Sequence, residues 1–326
     1  MVTSVRNACF DLGILKQYAS KVPLISVGNL SMGGTGKTPH VAYISTVLSG
    51  EKIAVISRGY GRKNSNLILG DTSIYSTADI GDEPMELLRK FEGENFKMLV
   101  EADRKKALQY IEQKFPNTKL VILDDGFQHR YVKRTLNLLL TDYSKLFYND
   151  YIVPVGTLRE SRAGAKRADV IVVTKCNPSI SFQEKNNIKM HLAKYTDAMV
   201  YFSKIEYKGF KNEHGYLLDP SKTYLVITGI AKPDPIFKHL AEQSISFESL
   251  TFSDHHNFSS TDVNKIVLKS KTFSGIITTE KDWMRLKETK LKELSSLEVY
   301  RLEIGITIVG EKEALEFEKL IIETLN

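Results

Sequence analysis

The segment Gly33-Gly34-Thr35-Gly36-Lys37-Thr38 constrains this chain more than any other. An apolar run, Leu24–Val27, precedes it, and a helix-forming stretch from Lys37 to about Leu48 follows. A glycine-rich turn between strand and helix lets consecutive backbone N–H groups face the oxygens of one phosphate chain. The positive end of the following helix adds to that field. In such a loop Lys37 reaches the β- and γ-phosphates, and the Thr38 hydroxyl ligates Mg²⁺. Ser31, Gly33, Gly34, Thr35 and Gly36 complete the predicted cradle. The strict pattern asks for glycine where this chain has Ser31.

Beyond the loop, strand-like and helix-like stretches alternate. Strands are expected at Ile53–Ser57, Lys97–Val100, Leu120–Leu123, Leu136–Leu140 and Val170–Thr174, with helices at Pro84–Phe91 and Arg104–Lys114. That alternation predicts a parallel sheet covered by helices on both faces. Ala198–Tyr207 reads as extended. A second alternation follows, with strands at Tyr224–Thr228, Gly275–Thr279 and Glu298–Leu302 and helices at Phe237–Gln243, Asp262–Lys269 and Glu311–Leu325. The expected organisation is an N-terminal amphipathic helix over 1–20, a nucleotide-binding core over 21–198, an extended linker over 199–222, and a smaller α/β domain over 223–326. The apolar spacing Val2, Val5, Ala8, Cys9, Leu12, Leu15 draws one stripe, which suits either a membrane surface or the protein's own core.

The apolar strand Leu120–Leu123 ends in Asp124-Asp125-Gly126, and ligands gather at the carboxyl ends of parallel strands. Both carboxylates are therefore expected at Mg²⁺, although Asp-Asp before Gly is also ordinary turn chemistry. In Leu158-Arg159-Glu160, Arg159 is placed to clamp phosphate and Glu160 to ligate metal. Asp82 opens Gly81-Asp82-Glu83-Pro84, which suits a general base and equally a helix start. His255 lies in the polar loop Ser253–Asn257.

A net charge of +6 suits anionic partners without choosing among them. Two cysteines far apart in sequence argue against a disulfide scaffold or a cysteine-rich zinc site. With neither an 18-residue apolar run nor a secretory h-region, a cytoplasmic protein is expected, or one attached to the cytoplasmic face of a membrane. No aromatic–basic stripe supports nucleic-acid binding. Val173-Thr174-Lys175-Cys176-Asn177 superficially resembles a guanine-reading segment, which keeps a P-loop GTPase, as switch or metal-delivery protein, as the alternative. That segment normally ends in Asp, and here the residue is Asn177.

Taken in order, Ser31–Pro39, Ser57-Arg58-Gly59-Tyr60, Gly81–Pro84, Asp124–His129, Leu158–Glu160, Arg167-Ala168-Asp169 and Thr279–Asp282 resemble the tetraacyldisaccharide 4'-kinases of lipid A biosynthesis. The resemblance runs from about Val22 to Leu286 and includes serine at position 31. It implies a P-loop NTPase-like sheet with a second, smaller α/β domain joined by a β-ribbon. It implies transfer of the ATP γ-phosphate to the 4'-hydroxyl of a tetraacyl glucosamine disaccharide 1-phosphate, with peripheral contact at the inner membrane and no obligate protein partner. It also implies Asp82 and His255 as a catalytic pair, and Gln128 and His129 at the nucleotide or metal edge. Arg58, Tyr60, Arg62, Lys63 and Arg104 are candidates for the phosphates of substrate or nucleotide.

Overall fold

The computed structural model describes residues 2–60, 62, 66–212, 214–230, 233–253, 256–289 and 297–325. The chain forms two compact units, Met1–Glu206 with Gly305–Asn326, and Tyr207–Ile304.

The larger unit opens with α1 (Val2–Asp11), β1 (Leu24–Asn29), α2 (Lys37–Val47), β2 (Ile53–Ser57), β3 (Ile68–Leu69) and α3 (Thr77–Ile80). It continues through α4 (Asp82–Phe91), β4 (Phe96–Val100), α5 (Arg104–Lys114), β5 (Leu120–Asp124), β6 (Leu136–Asp142), β7 (Val170–Thr174), α6 (Phe182–Leu192) and the start of β8 (Met199–Lys211). Its strands lie in the order β8-β7-β6-β1-β5-β2-β4-β3. All pairs are parallel except β3 against β4. Every residue of β1, β2, β5 and β7 is buried, which is why these strands read as continuous apolar runs. One core packs Val121 and Leu123 against Ala107, Leu108 and Ile111 of α5. Another packs Leu139, Ile171 and Val173 against Ile188 and Leu192 of α6.

The smaller unit contains β9 (Thr223–Thr228), α7 (Asp234–Glu242), β10 (Ser246–Thr251), α8 (Ser260–Ser270), β11 (Ile276–Thr279), α9 (Glu280–Glu288) and most of β12 (Val299–Ile308). Its parallel order is β10-β9-β11-β12. Alternate residues of β9 feed two cores: Leu225 and Ile227 join Trp283 and Val263, and Tyr224 and Val226 join Ile236 and Leu240.

Three expectations need correction. The expected extended linker 199–222 is extended only as far as Lys211, as the strand β8 beside β12 in the sheet, and the chain returns to the larger unit through β12. The C-terminal helix α10 (Glu311–Glu323), assigned by sequence to the smaller domain, belongs to the larger unit. Its fully buried Phe317 meets Tyr201 edge-on at 5.1 Å and packs near Tyr43, whose hydroxyl donates to Glu318 at 2.6 Å. Finally, α1 ends at Asp11 instead of running toward residue 20, because Gly13 takes a left-handed φ of 72° and closes the last turn.

Candidate active site

The phosphate loop spans the gap between β1 and α2. Asn29, the last residue of β1, is buried, and its Nδ2 donates to Thr35 Oγ1 at 2.7 Å. Gly36 sits at φ 85° as the residue before α2, a conformation that glycine adopts without a Cβ penalty. The departure at Ser31 has a structural reason. Ser31 is buried, takes no positive φ, and forms an antiparallel bridge to Leu158, while Met32 N donates to Thr157 O. The loop is strapped there by pairing, so glycine's freedom is not required. A side chain is excluded three residues earlier, in β1, where a Cβ on Gly28 would lie 2.6 Å from the Phe127 backbone nitrogen.

The acidic end of β5 faces this loop. Asp124 is buried and accepts Ser57 Oγ at 3.0 Å through Oδ2, whereas Oδ1 has no hydrogen-bonding partner among the described residues. Burial, opposed by Lys37 and reinforced by Asp125, pushes the Asp124 carboxyl up to about 6. Glu83, at the start of α4, adds to that rise. Asp125 stands in the left-handed region at φ 50°, a conformation Asp tolerates better than most residues. It lies 3.6 Å from Lys37 Nζ, and Arg159 Nη1 donates to both of its oxygens at 2.9 and 3.1 Å. Burial opposes its charge, but Lys37 and Arg159 outweigh burial and hold Asp125 below the usual carboxylate range.

Several predicted residues have structural partners. Glu160 is buried and accepts Asn7 Nδ2 on one oxygen and Gln128 Nε2 and Arg167 Nη2 on the other. Both its oxygens thus face N–H donors, a different setting from the open Oδ1 of Asp124. Gln128 Nε2 also donates to Asn29 O, tying the Asp124–His129 turn to the root of the phosphate loop. His129 is held down at about 4 by burial and the Arg104 charge, so its ring is neutral near pH 7. Arg104 is a core residue: its guanidinium donates to the carbonyls of Glu101 and Asp124. Asp82 is the first residue of α4, and Gly81 before it packs on the Tyr60 carbonyl, so this helix start lies against the loop that follows β2. Arg58 and Tyr60 on that loop are exposed. His255 and Lys63 lie outside the described residues.

The chain matches the family model described as tetraacyldisaccharide-1-P 4'-kinase over residues 1–325. The chain belongs to this kinase family. A tetraacyldisaccharide 4'-kinase of Flavobacterium psychrophilum is 43% identical, with 98% of this chain and 92% of that protein covered. One from Cytophaga hutchinsonii is 38% identical over 100% of this chain and 93% of that protein. Among solved structures, LpxK from Aquifex aeolicus in complex with ATP superposes with a TM-score of 0.76 at 25% identity, covering 100% of this chain and 95% of that one.

Within this 4'-kinase, the segment that resembled a guanine reader has another employment. Thr174 Oγ1 donates to Thr35 O at 2.9 Å, and Lys175 Nζ donates to Gly34 O at 2.5 Å and to Asp142 at 2.8 Å. Asn177 Oδ1 turns back onto Ser179. The donors set against the P-loop carbonyls (Asn29, His40, Thr174, Lys175) escape sequence reading because none belongs to the glycine motif. The orphaned Asp124 oxygen, the buried Thr38 and the Lys37–Asp125 pair form a donor set of hard oxygens beside a cation, which fits Mg²⁺ and a nucleotide phosphate chain.

Proposed function

We propose that this protein transfers the γ-phosphoryl group of ATP to the 4'-hydroxyl of a tetraacyl glucosamine disaccharide 1-phosphate, with Asp82 as general base. The observation that carries this reading is the convergence of Lys37, Asp124 and Asp125 at the start of α2, beside the helix that Asp82 begins. The backbone N–H groups of Gly33–Thr38 and the Lys37 ammonium hold the β- and γ-phosphates. Thr38 and Asp124 would hold Mg²⁺, which when bound neutralises charge on the phosphate oxygens. Asp82 accepts the proton of the 4'-hydroxyl as its oxygen bonds to phosphorus and the bond to ADP breaks. Arg159 and Asp125 hold one another in place at the phosphate edge.

The setting proposed is the cytoplasmic face of the inner membrane, with peripheral contact. Supporting this, no helix of the described residues is long and apolar enough to cross a membrane. From the stripe on α1 and its closing turn, Val5 and Leu12 stay outward, 61% and 75% exposed. Phe10 turns inward onto Tyr131 and Arg130.

The test is phosphate transfer from ATP to the acylated disaccharide 1-phosphate in detergent, with wild type and Asp82→Ala. Turnover by Asp82→Ala is expected to fall at least about a hundredfold, with ATP affinity within a few-fold of wild type. No transfer by wild type would remove the acceptor assignment. Near-normal turnover of the variant would remove Asp82 as base.

A further inference from the structure

The carbonyl oxygens of Gly33, Gly34, Thr35 and Gly36 are each taken by a donor from the protein. Gly33 O accepts from Asn29 Nδ2 and Thr35 N, Gly34 O from Lys175 Nζ, Thr35 O from Thr174 Oγ1, and Gly36 O from His40 N at 3.2 Å and, more closely, from His40 Nδ1 at 2.7 Å. In a planar trans peptide, the C=O of one residue and the N–H of the next point in opposite directions. Anchoring Gly36 O therefore sets the direction of Lys37 N–H, and anchoring Thr35 O sets that of Gly36 N–H. These N–H groups are the ones a phosphate chain would meet.

His40 differs from the other anchors in having two chemically distinct ring nitrogens. A carbonyl oxygen only accepts, so Nδ1 must carry the hydrogen. In the neutral ring Nε2 is then an acceptor, and Ser203 Oγ lies 2.9 Å from it. Both side chains are buried, Ser203 on β8 and His40 in the first turn of α2. We propose that His40 is a positioning residue of the phosphate cradle, and that the Ser203 hydroxyl, donating to Nε2, supports the Nδ1–H tautomer that the Gly36 carbonyl requires.

The inference rests on the reading that the loop binds ATP, and its test separates the two. ATP affinity is measured by titration calorimetry, with far-UV circular dichroism reporting the fold of each variant. His40→Asn places an amide nitrogen where Nδ1 stood, His40→Gln places one where Nε2 stood, and His40→Phe keeps a buried ring with no donor. Asn is expected to bind ATP within about twofold of wild type. Gln and Phe should bind about fivefold more weakly, the worth of one ordinary hydrogen bond. Ser203→Ala should weaken binding in the same direction by a smaller factor, and should add nothing in the His40→Phe background. Wild-type affinity in His40→Phe, equal losses in Asn and Gln, or additive effects of the Ser203 and His40 changes would each overturn the proposal. If His40→Phe does not fold, the Asn–Gln contrast decides. Failure of the wild type to bind ATP would instead strike the nucleotide reading itself.

Discussion

Keeping Asp124 ionised in its buried position costs the folded protein stability. Its carboxyl is raised from near 3.8 to about 6, chiefly by burial. The folded state thus holds this proton more tightly than the unfolded chain does. Stability contributed by the protonated form is present below about pH 4 and is lost as pH rises through about 6. A rise of that size corresponds to at most about 3 kcal/mol. Asp124→Asn cannot ionise and can still accept Ser57, so it should raise the Tm of the nucleotide-free protein at pH 7 while turnover collapses. A calorimetric scan showing no rise, or a fall, would refute the ionised, unpartnered Oδ1. On the proposed reading Asp124 ligates Mg²⁺, and a metal ligand must lose its proton, so the same carboxyl makes cation binding pH-dependent. Affinity for Mg·ATP should drop as pH falls from 7 through 6, approaching tenfold per pH unit below that, and Asp124→Asn should flatten the dependence. Lys37, Asp124 and Arg159 are legible in the sequence because their chemistry follows from a local context: a glycine loop, an apolar strand end, a short polar cluster. Ser57 and Lys175 are not, because each acquires its role from a partner distant in sequence, and Asn29 is not, because its donation to Thr35 depends on how the loop itself curls.

Elements with a strong apolar period are legible nearly to their ends, and those without one are not. Strand β10 offers only Phe247 and Leu250 as large apolar residues, three apart, so no period of two exists to detect. Helix α6 buries only Ile188 and Leu192, and its Phe182 is 79% exposed. Helix α9 shows in the sequence as the motif Thr279–Asp282 and not as a helix. In the structure that motif is its cap: Thr279 accepts Asp282 N, and the Asp282 carboxylate accepts Gly229 N at 2.9 Å. On α1 the sequence stripe leaves two faces open, and the fold selects between them. Asn7 and Phe10 serve the larger unit's interior, while Val5 and Leu12 stay exposed. Apolar side chains at that density on a basic protein suit a lipid interface. Wild type is expected to float with vesicles of phosphatidylethanolamine and phosphatidylglycerol, and the double variant Val5→Asp/Leu12→Asp to remain largely in the soluble fraction. Equal flotation of the two would show that α1 is not the contact.

The order of elements along the chain suggests a break near residue 199, and a parallel α/β pattern continues on both sides of it. What pattern cannot show is that the smaller unit is an insertion. Strand β12 is a uniform extended run from Val299 to Ile308, and nothing in its composition marks Gly305 as the point where one unit ends. The deciding residue is Phe317, whose aromatic partners Tyr43 and Tyr201 both belong to the larger unit. Each unit consequently closes its own cores. Two strands that pass from one unit to the other, β8 and β12, are the chain's only covalent route between them. Units built this way can unfold separately, and the sequence supplies a probe for one of them. The chain has a single tryptophan, and Trp283 is buried in the smaller unit beside Leu225, Val263 and Leu286. Its emission therefore follows that unit alone, while far-UV circular dichroism follows both. The phosphate loop, Asp82, Asp124 and Asp125 all lie in the larger unit, so Mg·ATP stabilises that unit by mass action. Added Mg·ATP should raise the midpoint of the dichroism-detected transition by several degrees more than that of the Trp283 transition. Equal shifts in both signals would mean that the two units melt as one cooperative body.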